Sequence, residues 1–157
     1  MKRLANNSAF TLVEILIVTA IIAIMASIAI PNILRARLNA RVSRVASNLK
    51  TFATGFQMYA VDHGALPPDS HLVLPPGMDV YIDPEDWAKD AMGGQFNWEG
   101  PTWGEGGPYD YAGISLFGTT ATVEELTILD VAFDDGDLTS GFFKQTPNGR
   151  YTFILEE

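Results

Sequence analysis

One carboxylate stands inside the most apolar stretch of this chain: Glu14, within FTLVEILIVTAIIAIMASIAIP at residues 10–31. An ionised carboxylate in hydrocarbon costs roughly 2.5–3.5 kcal/mol at a helix centre and less near an end, so it needs a cationic partner or a helix N-terminus to hold it. A secretory signal is cut after its apolar run, whereas here the small residue that suits a peptidase, Ala9, precedes it. A cut there leaves the apolar helix on the mature chain and creates a free amine at Phe10. The densest acidic group is Asp134, Asp135 and Asp137 in the run DDGD. Carboxylates spaced by glycine in a loop suit calcium, which takes six to eight oxygens, but the run is not an EF-hand loop and also reads as a solvated turn. His63 and His71 lack an acid or cysteine at ligand spacing, so they read as exposed loop histidines rather than a zinc site or a general base. There is no P-loop, nucleophile elbow, dinucleotide fingerprint or H-E-x-x-H, and nothing here proposes an enzyme.

These groups have to be positioned by a long helix and a small head. From Phe10 the helical pattern continues past Pro31 to about Val61. Leu38, Val42, Val45, Leu49, Phe52, Phe56 and Tyr59 recur at alternating spacings of four and three, which puts them on one face with Arg37, Arg41, Arg44 and Lys50 off it. That stripe predicts the seam where the helix packs on the head. At about 1.5 Å per residue such a helix measures roughly 80 Å, so its N-terminal half is expected to project into membrane or neighbours. Pro31 removes a backbone hydrogen bond, and a kink or melted turn is expected near Ile28 to Pro31. Thr19, Ala23 and Ser27 form a small-residue face that allows close helix approach.

Residues 62–157 read as an α+β head with a small antiparallel sheet. Asp62 to Pro76 is a loop by its Gly and Pro content, and Gly93 to Pro108, with Trp98 and Trp103, reads as an irregular surface loop. Those tryptophans either present an aromatic contact surface or pack the loop back onto its sheet, the second being the commoner outcome. Tyr109 to Leu116 is a candidate strand. Thr122 followed by Glu125 is a capping-box signature, predicting a helix over 123–133. Phe142 to Thr146 and Arg150 to Leu155 flank Pro147-Asn148-Gly149 as a hairpin, with Tyr151, Phe153 and Leu155 expected inward.

Charge divides the chain. The net charge is −9, yet residues 1–50 hold seven of the ten Lys and Arg and one acid, while residues 51–157 hold 18 acids against three bases. Phosphate repulsion therefore argues against nucleic-acid binding by the head. The basic stem from Arg35 to Lys50 has anionic lipid, DNA or acidic heads of neighbouring copies as candidate partners, the last being the economical reading. There is no cysteine, so neither a disulfide framework nor thiol catalysis is available.

The basic leader MKRLANNSA followed by F-T-L-x-E resembles the type IV pilin superfamily, which includes the pseudopilins of type II secretion. The resemblance covers the first 25 or so residues. It implies a leader at 1–9, a transmembrane and filament-core helix at 10–31, an amphipathic half at 32–61 and a globular head at 62–157. Ala9 and Phe10 then take the processing positions, and Phe10 is methylated. Thr11, Leu12, Glu14 and Pro31 take assembly positions, with Glu14 pairing with the Phe10 amine of an adjacent subunit. One departure is Ala9, where the family usually has Gly. The run QMYAVDHGALPP is similar to the end of the pseudopilin helix, with Leu66 in place of the usual aromatic residue. Major pseudopilins hold calcium in a C-terminal loop whose ligand pattern DDGD does not reproduce. The implied function is a structural filament subunit, with itself, a prepilin peptidase, an assembly ATPase, a platform membrane protein and the inner membrane as partners. The implied location is the inner membrane as a single-pass precursor, then a periplasmic or extracellular filament. Counting basic residues around the span instead favours a cytoplasmic C-terminus. Two alternatives stay open: a non-polymerising membrane-anchored binding domain, and a secreted domain cleaved after Ala29.

Overall fold

The computed structural model describes residues 10–101 and 109–157. The leader at 1–9, with Ala9, and Trp103 lie outside the described residues. Contacts divide the chain into two compact units, one ending at Leu38 and the other Asn39–Glu157.

Helix α1, Leu12–His63, runs through the boundary. Every residue from 12 to 63 is helical, Pro31 included, so the turn before the proline is not melted. In the second unit the expected stripe is the buried one. Val42, Val45, Leu49, Phe52 and Phe56 are buried, joined by Ala46, Ala53 and Gly55, while Tyr59 is half-buried. The helix ends when the Gly64 amide, at a positive φ, closes the last turn on Ala60 O at 2.8 Å. His63 is therefore helical and exposed, stacked on Tyr59, rather than part of the loop.

After the Pro-rich connection come a 3-10 turn, Met78–Val80, and a one-turn helix α2, Pro84–Trp87, neither of which the Gly and Pro content announces. Asp83 caps α2 by accepting from the Glu85 amide, with Pro84 in the first helical position. Trp87 is buried against Phe52, Phe56 and Phe96.

The sheet contains β1 Gln95–Glu99, β2 Ala112–Phe117, β3 Phe143–Gln145 and β4 Tyr151–Glu156, ordered β1-β2-β4-β3 and antiparallel throughout. β1 corrects the reading of 93–108 as irregular. The flanking glycines conceal five residues that alternate Phe96 and Trp98 toward α1 with Asn97 and Glu99 away from it. Trp98 is fully buried, so the packing reading of that residue holds. Ser70 bridges to Trp98 and closes part of the β1 edge.

The register puts Trp98, Ile114, Phe153 and Phe143 on one face, toward α1. Yet along β4 it is Thr152 and Ile154 that are buried, while Tyr151, Phe153 and Leu155 are only half-buried. The expected inward set is thus the less buried one, because the opposite face of the sheet is covered as well. A register shift at Ala112/Gly113 accompanies this. At Gly113 a Cβ would meet Thr152 Cγ2 at 2.6 Å and Phe153 O at 2.7 Å, so only glycine fits.

Helix α3, Val123–Asp130, opens on the expected capping box between Thr122 and Glu125. It stops three residues short of the predicted end, and the chain turns through Val131 to Phe133. Leu126 and Leu129 are buried, and Phe133 packs on Phe143 and Phe153.

Candidate functional site

The N-terminal motif is a capped helix start. Thr11 precedes α1, and its amide and hydroxyl both donate to Glu14 Oε2 at 2.9 Å. The Glu14 amide returns a bond to Thr11 Oγ1 at 3.2 Å. This is a capping box of the same T-x-x-E spacing as Thr122 and Glu125, and that spacing was there to be read at 11–14. Among the described residues, Glu14 Oε1 accepts nothing.

Behind this cap the helix offers an unbroken apolar surface. Each large apolar side chain from Phe10 to Leu34 is at least 51% exposed. An 18-residue window reaches a mean hydropathy of 2.7, long and apolar enough to cross a membrane. Thr19 and Ser27 return their hydroxyls to Leu16 O and Ile24 O, which removes their polar cost on this face. Leu12 is exposed and Pro31 lies within the helix. Exposed apolar area on this scale has to be covered by lipid or by other helices.

The basic stem is partly spent within the chain. Arg41 and Arg44 both reach Asp90, at 3.7 and 3.3 Å. Lys50 donates to Ala132 O at 3.2 Å and lies over the Phe133 ring. Arg35 and Arg37 are exposed and make no ion pair with a described residue.

At the end of α3 the structure gathers Asp134 and Asp135 with Asp130, a residue that the DDGD pattern did not single out. One carboxylate oxygen from each lies within 4.8 Å of the others. Asp130 is fully buried, and neither of its side-chain oxygens has a hydrogen-bond partner. Burial, and then the Asp134 carboxylate beside it, push the Asp130 carboxyl well above the usual range. Asp137 is turned elsewhere: its Oδ1 accepts from the Thr139 amide and hydroxyl, which hold its carboxyl below the usual range. An orphaned buried carboxylate facing two more suits a hard divalent cation with oxygen ligands.

A second polar cluster fills the outer face of the sheet. Glu99 is fully buried and accepts from Arg150 at 2.8 Å, Tyr111 at 2.7 Å, Asn148 at 3.0 Å and Thr152 at 3.2 Å. Every partner is a donor, so the charge is compensated and the cluster is structural in geometry. His71 is exposed and meets Phe117 edge-on.

A family model described as the Prokaryotic N-terminal methylation motif matches residues 4–30. The chain is 43% identical over 60 residues to the type IV wide pilus major component PilA4 of Thermus thermophilus, covering 38% of this chain and 46% of that protein. It is 27% identical over 93 residues to the type II secretion system core protein G of Pseudomonas aeruginosa, covering 55% of this chain and 62% of that one. It is 46% identical over 49 residues to the type IV major pilin protein PilA of Myxococcus xanthus, covering 31% of this chain and 22% of that one. The chain thus aligns with between about a fifth and three fifths of the length of these relatives. No solved structure matches it significantly. The resemblance is to type IV pilins and to a type II secretion protein alike, and these relatives are named as a pilus component, a major pilin and a secretion-system core protein.

Proposed function

We propose that this chain is a structural subunit of a type IV pilus-like or type II secretion pseudopilus filament. It is made as a single-pass membrane precursor, cut between Ala9 and Phe10 by a prepilin peptidase and methylated at Phe10. An assembly ATPase and a platform membrane protein then drive its polymerisation. The observation that carries this reading is the capped Thr11–Glu14 start of a helix whose large apolar side chains are exposed all round as far as Leu34. Lipid covers that surface in the precursor, and neighbouring copies of the helix cover it in the filament. A charge at its head, with one carboxylate oxygen uncommitted, then selects one stagger between neighbours by pairing with their Phe10 amine. The role is mechanical, and no reaction is assigned to the chain. Relatives of both kinds support a filament without deciding between pilus and secretion pseudopilus. The absence of cysteine and the QMYAVDHGALPP run favour the secretion side.

The test is mass spectrometry of the N-terminus of the mature protein from native cells. The expected chain begins at Phe10 and carries one added methyl group. A chain beginning at Met1 means a plain anchor, one beginning at Ile30 means a released domain, and either result sinks the filament reading.

A further inference from the structure

The turn between β3 and β4 carries Asn148 followed by Gly149, and no other asparagine in the chain precedes a glycine. Such a pair is chemically weak. Once the Gly149 nitrogen gives up its proton it can attack Asn148 Cγ. An N–Cγ bond forms, the Cγ–Nδ2 bond breaks, and ammonia leaves with a proton in exchange for the one lost. Water then opens the cyclic imide to aspartate or, through its other carbonyl, to isoaspartate. No side chain shields the attacking nitrogen: Gly149 sits at φ 83, with nothing within 4 Å of where a Cβ would stand.

The fold commits each group that this reaction needs. The Gly149 amide donates to Thr146 O at 2.8 Å. Asn148 Oδ1 accepts from the Arg150 amide at 2.9 Å and from the Thr146 hydroxyl at 2.8 Å. Its Nδ2 donates to Glu99 Oε1 at 3.0 Å and to the Tyr111 hydroxyl at 3.2 Å. Turning Cγ onto the Gly149 nitrogen means releasing these bonds, which also takes a donor from the fully buried Glu99 carboxylate. The product fits the cluster worse than the reactant. An oxygen in place of Nδ2 only accepts, so two carboxylates of like charge would face each other at hydrogen-bond distance. Isoaspartate, in addition, lengthens the backbone of the turn that sets the pairing of Gln145 with Tyr151. We propose that Asn148 is a deamidation site, guarded by the Glu99 cluster while that cluster is closed and converted by water when it opens, and that the product keeps the cluster from closing again. A brief opening leaves Asn148 intact, because local reclosing outpaces imide formation. A sustained one is recorded in the chain as an acid. The site lies within the Asn39–Glu157 unit, and its test does not depend on how the N-terminus is processed or whether filaments form.

The full chain in detergent micelles is held in warm, mildly alkaline buffer with and without urea. Trypsin then releases residues 145–150 as one peptide, and mass spectrometry follows its conversion. Conversion at Asn148 is expected to run more than about tenfold slower in the folded chain than in urea. Tyr111→Phe and Thr146→Val each remove one bond to the Asn148 side chain. Both should speed conversion severalfold in the folded chain and leave the rate in urea unchanged. No conversion in urea overturns the site, and equal rates with and without urea, or no effect of either variant, overturn the guarding. Asn148→Asp should lower the urea midpoint more than Asn148→Ser, which gives up the Nδ2 bonds without adding charge. An equal or smaller loss contradicts the effect assigned to the product. Should Asn148→Asp show no cooperative transition, the unmutated chain is half converted in urea, refolded by dilution and exposed to protease. Converted molecules are expected to be digested first, and equal survival sinks the proposal.

Discussion

The indole of Trp98 lies flat on the ring of Phe56, with centroids 3.8 Å apart and planes within 10° of parallel. Its Nε1 donates to Pro67 O at 3.0 Å, so one side chain joins strand β1, helix α1 and the Pro-rich connection. Trp98→Ala should destabilise the head by about 3–5 kcal/mol. Trp98→Phe keeps most of the stack and should cost closer to ~1 kcal/mol beyond its lost volume, for the missing hydrogen bond. Urea unfolding in micelles, followed by far-UV circular dichroism, separates the two.

At Gly113 an added methyl meets the Thr152 methyl at 2.6 Å and the Phe153 backbone oxygen at 2.7 Å, and the second cannot swing aside. Gly113→Ala is therefore expected to lose about 1–3 kcal/mol despite its lower unfolded-state entropy. A neutral result in the same unfolding assay would mean that β2 and β4 slide apart freely at the bulge.

Removing Arg150 leaves Glu99 charged and buried. Arg150→Met should cost about 3 kcal/mol, while the double change with Glu99→Gln should cost less than Arg150→Met alone. A double-mutant cycle on urea midpoints measures the coupling, and strict additivity would contradict it.

Burial pushes the Tyr111 phenol well above its usual range, and the Glu99 carboxylate that accepts its hydrogen bond adds to this. In the unfolded chain the phenol ionises near pH 10. The native state then holds the proton longer, so this contribution is fully present below about pH 10 and is lost as pH rises beyond it. Tyr81 is raised too, by its hydrogen bond to Asp62, so the test is differential. Tyr111→Phe should flatten the alkaline fall in Tm relative to the unmutated chain and remove the last-ionising phenol from the ultraviolet titration.

The cap that Glu14 makes and the pairing proposed for it can be parted by substitution. Glutamine at this position still accepts from the Thr11 amide and hydroxyl, which is all the helix cap requires, but it carries no charge. Glu14→Gln should therefore keep the helix and stop filament assembly, and Glu14→Ala is expected to stop it as well. Filaments of normal number by electron microscopy in Glu14→Gln would assign Glu14 to the cap alone. Thr11→Ala, which removes one of two donors to Oε2, is expected to reduce assembly less than either.

Much of this fold was legible. The four-three stripe from Val42 to Phe56 announced the seam, and the Thr122–Glu125 box announced α3, because both signals are local. β1 was hidden for a physical reason: its polar members Asn97 and Glu99 are buried, so an alternation that suggests one wet face belongs to a strand with none. Asp130 was hidden because helical geometry, and not the DDGD run, carries it to Asp134 one turn on. The exposed T-x-x-E at 11–14 was legible as a family motif and, with equal warrant, as a cap.

The Glu99 cluster joins residues 49 to 53 positions apart in sequence. In a chain without cysteine it takes the place of a covalent cross-link, closing a loop of that length from β1 to the final hairpin. Such a latch has no reduction potential. It closes equally well in reducing and oxidising surroundings, needs no thiol oxidase to form, and after forced opening reforms without risk of mispairing. The head can thus be handed from one redox compartment to another with its sheet already locked.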